Sequence, residues 1–206
     1  MTRTEIIKIL LKKNNYKSYL EIGVNTPAQP GFNFTSINAE VKHGVDPAVD
    51  TTFKMTSDAF FSNHVTMKYD LIFVDGLHIF DQAHRDIVNS IEWLNENGSI
   101  VVHDTNPKEE ITQRPVRASN VWHGDVWRAI LKLRMERSDI SIYTVDADEG
   151  CAVITKGHQD LFVPPANSAD ISSFNFFNQH RKEILNLITP REFKKKMGIT
   201  SWLPFI

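Results

Sequence analysis

The chain has 206 residues, a formal net charge of −2 and a sequence pI of about 6.4, which gives no electrostatic reason to expect nucleic acid as a partner. Hydrophobic residues make up 41% of the chain, enough for a sizeable core. The single cysteine, Cys151, excludes an intrachain disulfide, and no stretch approaches the roughly 18 apolar residues of a membrane span. We therefore expect a soluble, cytoplasmic, single-domain protein over residues 1–206, with neither a nucleic-acid nor a membrane partner.

The predicted elements begin with a helix and continue as short apolar strands. Thr2 and Glu5 have capping-box spacing ahead of a helical apolar repeat, which predicts an N-terminal helix over residues 4–13. Short apolar runs predict four strands, at residues 18–24, 41–47, 52–58 and 69–76. The last of these is almost continuously apolar, as is typical of a central parallel strand covered on both faces.

The second half of the chain continues the alternation of helices and strands. Apolar residues at steps of three and four predict a helix over residues 80–94, with Gly98 as a glycine suited to end it. Residues 99–104 are predicted as another buried strand. Residues 105–124 form a long loop without periodicity, the kind of segment that often serves as a lid over a site. A further helix is predicted over residues 125–137, with the aspartate at its start as the N-cap.

The C-terminal part of the chain predicts a hairpin and then helices. Two apolar runs at residues 140–145 and 151–157 flank "DADEG", which favours an antiparallel hairpin. The tail is predicted to be helical within about 174–198, first over residues 174–188 and then from a capping box at residues 189–192. The whole pattern predicts an α/β fold, with a Rossmann-like, doubly wound and mostly parallel sheet that ends in a C-terminal antiparallel hairpin.

Four predicted strands end at or near an acidic residue. In doubly wound sheets ligands bind outside the carboxyl ends of the strands, so these acids should collect at the binding edge. They are Glu21, Asp46, Asp75 and Asp104. Asp46 lies 23 residues after Gly23, close to the spacing at which an acid holds ribose hydroxyls. The intervening loop lacks the glycine fingerprint for a pyrophosphate, so the pattern argues against a dinucleotide and leaves a nucleoside cofactor without phosphates open.

Several of these segments resemble the class I S-adenosylmethionine-dependent methyltransferases, and more narrowly methyltransferase family 24 with the macrocin-type O-methyltransferases. The resemblance runs from about residue 18 to residue 157. It is carried by "YLEIGV", "GVDP", "MTSDAFF", "YDLIFVDGLH", "DIVNSIEWLNENGSIVVHDTNP" and "GDVW". It implies S-adenosylmethionine as the methyl donor. It also implies a small-molecule acceptor, most simply a hydroxyl of a sugar or natural-product intermediate.

The resemblance further implies which residues hold the cofactor. Glu21 and Gly23 would line its methionine end, and Asp46 would take the ribose hydroxyls. The turn Thr56-Ser57-Asp58 would face the adenine. Asp75-Gly76 would lie near the sulfonium and the acceptor.

The loop after the first strand departs from the family pattern. Relatives have a glycine three residues after "EIGV", whereas this chain delays it to Gly31 and carries Pro27 and Pro30 on the way. Prolines have no backbone N–H to offer a ligand. This departure keeps open a methyltransferase-like binding module without catalysis.

Histidines and acids near two strand ends are the candidates for chemistry. A hydroxyl acceptor must lose a proton, and a neutral histidine suits that task, so His78 and, second, His103 are the candidate bases beside Asp75. Asp75 and Asp104 could also hold Mg²⁺ or another divalent cation, which acidifies a hydroxyl directly. The same residues leave open a metal-dependent hydrolase or sugar-modifying enzyme that uses Asp75, His78, His103 and Asp104.

Two further groups of residues are candidates for contacts with other molecules. In the loop over residues 105–124, Arg114, Arg117 and Trp122 would contact a polar or sugar-like acceptor. The aromatic residues of "FNFF" (174–177) and of the C-terminal "SWLPFI" are candidates for packing on a partner chain. We therefore expect a small-molecule acceptor and keep a homo-oligomer open.

Overall fold

The computed structural model describes residues 1–26, 32–168 and 170–199. Within them the α-helices are α1 (Arg3–Asn14), α2 (Ser57–Asn63), α3 (Phe80–Glu92), α4 (Val126–Glu136), α5 (Phe174–Leu185) and α6 (Pro190–Lys196). The strands are β1 (Ser18–Ile22), β2 (Val41–Val45), β3 (Tyr69–Val74), β4 (Leu94–Val102), β5 (Ile140–Val145), β6 (Cys151–Lys156) and β7 (Leu187–Ile188). Among these residues, no helix has the length and apolar character needed to cross a membrane.

One mixed sheet forms the centre of the protein, with strand order β2-β1-β3-β4-β6-β5-β7. The first four strands of this order are parallel, β6 is antiparallel to β4 and β5, and β7 pairs parallel with β5. The predicted α/β class, the mostly parallel sheet and the C-terminal antiparallel hairpin are confirmed. Because strands β1 to β5 all run in the same direction, their carboxyl ends share one edge of the sheet.

Helices cover both faces of the sheet, so neighbouring strand residues enter different cores. In β3, Ile72 and Val74 pack under α2 to α5, whereas Leu71 and Phe73 pack under α1 and α6. α1 is well defined by its own sequence, since Thr2 and Glu5 form the predicted capping box and Asn15 ends it in the left-handed region. In the described residues between β1 and β2 the helical segment is a single 3₁₀ turn, Phe34–Ser36. The face of the sheet that holds Leu71 and Phe73 is covered by α1.

The predicted strand over residues 52–58 is wrong. Phe53 makes only an isolated bridge to Val45, and α2 begins at Ser57. The hydroxyl of Thr56 accepts a hydrogen bond from the backbone N–H of Ala59, so this threonine is a helix N-cap. The capping signal therefore outweighed the apolar run.

The predicted end of the helix over residues 80–94 is also wrong. α3 ends at Glu92, and Leu94 already belongs to β4, where it lies opposite Tyr69. Gly98 lies inside this strand rather than after a helix. A Cβ at Gly98 would lie 2.8 Å from the carbonyl oxygen of Asp70, so glycine permits the close approach of the two strands.

Three expectations for the C-terminal half need correction. Leu187–Ile188 is not helical, because Asn186 ends α5 in the left-handed region and the next two residues pair with β5. The Asp125 side chain does not cap α4; its Oδ1 accepts from the backbone N–H of Phe80, 2.6 Å away, at the start of α3. Phe176 and Phe177 are buried in the core rather than presented to a partner. Gly31, Pro27, Pro30 and the terminal "SWLPFI" lie outside the described residues.

Candidate active site

The carboxyl edge of the sheet brings the predicted catalytic residues together. Asp75 follows β3, and His103 and Asp104 follow β4. His78 returns from the loop after Asp75, with its Nε2 3.3 Å from Asp75 Oδ1 and its Nδ1 3.3 Å from Asp104 Oδ2. His103 Nδ1 lies 3.3 Å from Asp75 Oδ1 and 3.1 Å from Asp104 Oδ2. These four side chains form one contiguous cluster, which we call the strand-end cluster.

Two further side chains, which the sequence analysis missed, contact the strand-end cluster. Arg3, the first residue of α1, places its Nη1 3.0 Å from Asp75 Oδ2, and its Nε lies 3.1 Å from Asp148 Oδ2. Asp148 belongs to the turn between β5 and β6, which reaches the same edge. No motif in the sequence marks Arg3 or Asp148 as a site residue. Only the packing of α1 and the hairpin around the sheet brings them to the site.

Charge pairing sets the protonation of this cluster. Burial disfavours the charged form of His103, but Asp75 and Asp104 outweigh it and raise its pKa well above the usual value. Burial also opposes the charge on His78, and again Asp75 and Asp104 raise its pKa. For Asp75, burial would raise the pKa, but His103 and His78 hold it well below its ordinary range. The carboxylates and the histidines of the cluster therefore stabilise each other's charged forms.

The two histidines differ in their access to solvent. His103 is only 3% exposed, and its ring meets Phe73 edge-on at 6.3 Å between centroids. The side chain of His78 is 19% exposed. Its ring stacks on Trp122 at 5.0 Å, and its Nδ1 also lies 3.1 Å from the carbonyl oxygen of Trp122. His78 is therefore the histidine that can meet a substrate.

The residues predicted for the cofactor's methionine end lie beside this cluster. Gly23 has φ of +84°, and a Cβ there would lie 2.1 Å from the carbonyl oxygen of Asp75. The glycine thus allows the end of β1 to touch Asp75-Gly76. Glu21 is buried, with its carboxyl bound by the hydroxyl of Tyr19 and the side-chain amide of Asn33. Burial raises the pKa of Glu21 to about 8.

The residues predicted for the ribose and adenine lie along the same edge. Asp46 accepts hydrogen bonds from the backbone N–H groups of Asn25, Ala48 and Val49, at 2.8 to 3.2 Å. A carboxylate has about four acceptor positions, so one remains for a further donor. The turn Thr56-Ser57-Asp58 forms the cap and first turn of α2.

Asp86 on α3 is another buried acid that the sequence analysis missed. It is 1% exposed and receives a hydrogen bond from Gln82, which also donates to Ser57 and Asp58. Burial raises the pKa of Asp86 to about 6. Asp86 follows Ala83 by three residues on the apolar face of α3. An acid on the apolar face of a predicted helix was a signal available in the sequence, because a buried acid needs a hydrogen-bond partner or a function.

The predicted lid over residues 105–124 contains a 3₁₀ helix, Glu110–Gln113. Trp122 Nε1 donates to the carbonyl oxygen of Arg114 at 2.7 Å, which holds the indole against His78. The guanidinium of Arg117 donates to the carbonyl oxygens of Ser119 and Asn120 within its own loop. The Arg114 side chain is exposed. Of the three predicted acceptor contacts, Trp122 is the one that touches the strand-end cluster.

Asp75, His78 and Asp104 have the geometry of a candidate cation site. One ligand atom from each lies within 4.8 Å of the other two. Two carboxylates suit Mg²⁺ or Ca²⁺, and the imidazole adds affinity for Mn²⁺ or Zn²⁺. The donor set therefore fits a divalent cation.

Replacing Glu21 by glutamine should change how stability depends on pH. The folded carboxyl binds its proton with a pKa of about 8, against 4.5 as the ordinary value, so the wild type loses stability as pH rises through this window. Glutamine has no proton to lose. Between pH 5 and pH 8.5, the variant should gain on the order of 2 kcal/mol relative to wild type, allowing for relaxation around the buried charge.

Urea unfolding at both pH values measures this difference. Glu183→Gln, at an exposed position on α5, is the control and should show no such gain. An equal stability difference between Glu21→Gln and wild type at both pH values would contradict the buried, protonated carboxyl.

The Rossmann-like sheet, with Glu21 inside β1 and Asp46, Asp75 and Asp104 after β2, β3 and β4, is a fold that solved methyltransferase structures share. The chain has a TM-score of 0.53 and 15% identity with the S-adenosylhomocysteine-bound methyltransferase PaMTH1 of Podospora anserina, over 76% of this chain and 80% of that one.

Two O-methyltransferase structures give similar values. The Bacillus cereus O-methyltransferase, in complex with S-adenosylhomocysteine, has a TM-score of 0.54 and 12% identity over 76% of this chain and 82% of that one. TomG of Streptomyces achromogenes, in complex with S-adenosylmethionine, has a TM-score of 0.51 and 12% identity over 75% and 79% of the two chains. At such identities the likeness shows the fold. Comparison with curated proteins gave no match.

The family model adds a sequence-level assignment. Residues 7–105 match methyltransferase family 24, which is described as a methyltransferase domain. These residues hold β1 to β4 with the acids at their ends, including Asp75, His78 and Asp104. This part of the chain, just under half of it, matches the methyltransferase family, in agreement with the resemblance seen in the sequence.

Proposed function

We propose that the protein transfers the methyl group of S-adenosylmethionine to a hydroxyl of a small molecule, a sugar or a natural-product intermediate. The observation that carries the proposal is the strand-end cluster, in which His78 lies between Asp75 and Asp104 beside the edge where the cofactor binds in this fold. TomG, which shares the fold, is an O-methyltransferase involved in tomaymycin synthesis, and this supports a natural product as acceptor.

The chain's own residues have two tasks in this reaction. The bound cofactor supplies a methyl group that is already activated on a sulfonium, so the protein must align the acceptor and remove its proton. Gly23 and Asp75-Gly76 shape the junction between β1 and β3, where the acceptor oxygen and the methyl group would meet. Trp122 would place one flat face of the acceptor beside His78.

In its neutral form, His78 is proposed as the base that takes the hydroxyl proton, and because its pKa is raised this form is available only at a pH above that pKa. Its Nε2 faces Asp75 and its Nδ1 faces Asp104, so a carboxylate is present to stabilise the imidazolium that forms. Burial keeps His103 from a substrate, and its role would be to hold Asp75 and Asp104 in place.

A divalent cation is proposed as a second aid to deprotonation. Asp75, Asp104 and His78 would hold it, and it would lower the pKa of the acceptor hydroxyl by coordination. If His78 is a ligand, it is not the base at the same time, so the two proposals for His78 differ in their response to a chelator.

Calorimetric titration with S-adenosylhomocysteine tests the proposed site. We expect a Kd on the order of micromolar, with Mg²⁺ present and also with a chelator. NAD⁺ serves as the control and should give no binding, because the loop after β1 lacks the glycine fingerprint for a pyrophosphate. Absence of binding under both conditions would sink the methyl-transfer proposal. Metal binding without nucleoside binding would instead favour the metal-dependent hydrolase. Absence of both metal binding and nucleoside binding would favour a non-catalytic binding module.

A further inference from the structure

Arg3 occupies an unusual position for the first residue of a helix. Its side chain is 17% exposed and turns into the strand-end cluster, where Nη1 contacts both Asp75 Oδ2 at 3.0 Å and His103 Nδ1 at 3.2 Å. The other side of the guanidinium is held by Asp148, with Nε at 3.1 Å from Oδ2 and Nη2 at 3.3 Å from Oδ1. A single cation therefore joins the ends of β3 and β5.

The backbone around Arg3 fixes this arrangement. The backbone N–H of Arg3 donates to Asp148 Oδ2, so α1 and the hairpin turn are joined by main chain as well as side chain. Asp148 has φ of +47° and Glu149 has φ of +62°, in a turn whose carbonyl oxygens accept from the backbone N–H groups of Thr105 and Asn106. The turn that holds Arg3 thus also holds the start of the loop that follows the cluster.

Arg3 and a divalent cation would bind the same carboxylate. Asp75 is one of the residues that fit a cation, and Arg3 already neutralises its Oδ2. A guanidinium so close to a doubly charged ion is repelled by it in a partly buried site, where charges interact strongly.

We infer that Arg3 is the resident counter-cation of Asp75 and that divalent cations reach this cluster only in competition with it. The N-terminal turn of α1 then controls how strongly the site holds a metal ion. This inference rests on the cation site in the proposed function. The inference predicts that Arg3 lowers the affinity of the site for a metal ion. If Arg3 merely positioned Asp75 for the ion, it would raise that affinity.

Titration of the purified full chain with Mn²⁺ alone tests the inference, with calorimetry and the electron paramagnetic resonance signal of free Mn²⁺ as readouts. Arg3→Gln should bind Mn²⁺ roughly tenfold or more tightly than wild type. Arg3→Lys keeps the charge and should remain within about threefold of wild type. Lys8→Gln, at an exposed position of the same helix, controls for net charge and should leave the affinity unchanged.

A second variant protects the test against misfolding. Arg3→Gln removes the guanidinium that pairs with the Asp148 carboxylate but keeps the backbone N–H bond, so Arg3→Gln with Asp148→Asn removes the charge pair together and should show the same tightening. Weaker or unchanged Mn²⁺ binding in folded Arg3→Gln, or no Mn²⁺ binding in any variant, would overturn the inference. Titration with S-adenosylhomocysteine in the same variants separates this outcome from failure of the methyl-transfer proposal, because cofactor binding is measured without the metal.

Discussion

Gly124→Ala is expected to lower the melting temperature by ~10 °C or more, or to prevent folding. Gly124 has φ of +58°, and a Cβ there would lie 1.6 Å from the carbonyl oxygen of His78 and 2.7 Å from its Cβ. Both contacts involve parts of His78 that cannot move without the backbone. Overpacking of this kind costs about 3 kcal/mol of folding free energy. The left-handed backbone conformation adds ~1–2 kcal/mol of strain for an alanine.

The damage should reach the site as well as the fold. Next to Gly124, Asp125 holds the first turn of α3 through the N–H of Phe80, so this corner fixes the loop that carries His78. Thermal unfolding by circular dichroism measures the effect, at ~2–4 °C for each kcal/mol in a chain of this size.

Gly198→Ala is the control that separates the cost of backbone strain from the cost of the steric clash with His78. Gly198 has φ of +70°, but a Cβ there would meet only the flexible end of Lys13, at 3.3 Å from Nζ. It should therefore cost only the conformational strain. If Gly124→Ala is no less stable than Gly198→Ala, the close contact with His78 does not exist in solution.

Local signals in the sequence predicted most of the fold. The continuous apolar run of β3 and the capping box at Thr2 and Glu5 each specify their elements without help from distant residues. The errors arose where a neighbouring strand decides the outcome. Gly98 could end a helix or admit a close strand, and only its approach to Asp70 distinguishes the two. Leu187–Ile188 becomes a strand because the edge of β5 is next to it.

The site was predicted only where it follows strand ends. Asp75 and Asp104 could be placed together because parallel strands share an edge, and His78 because it lies three residues from one of them. Arg3 could not be placed, because its position depends on α1 packing against one face of the sheet. In the described residues the β1–β2 connection has no α-helix to cover that face. Asp148 likewise depends on the hairpin bringing its turn back to the same edge.

The chemistry of His78 gives the second large effect. A positioned base contributes roughly 10²- to 10⁴-fold to the rate of a proton transfer. His78 is the more exposed of the two histidines in the strand-end cluster, and its ring is held by Asp75, Asp104 and the stacked Trp122. His103 is shielded by Phe73 and the other members of the cluster, so its loss should harm stability more than the chemical step.

His78→Gln should therefore lower kcat by ~10²- to 10⁴-fold while S-adenosylhomocysteine affinity stays within about threefold. The assay is methyl transfer from labelled S-adenosylmethionine to the acceptor, once a hydroxyl compound is found that the wild type methylates. His158→Gln, whose side chain is 78% exposed, is the control and should keep full activity. Added Mn²⁺ distinguishes the two roles of His78, because a lost metal ligand is offset by more metal whereas a lost base is not. A His78→Gln enzyme that turns over at wild-type rate would place the base elsewhere, and His103→Gln would then be the variant that has to lose activity.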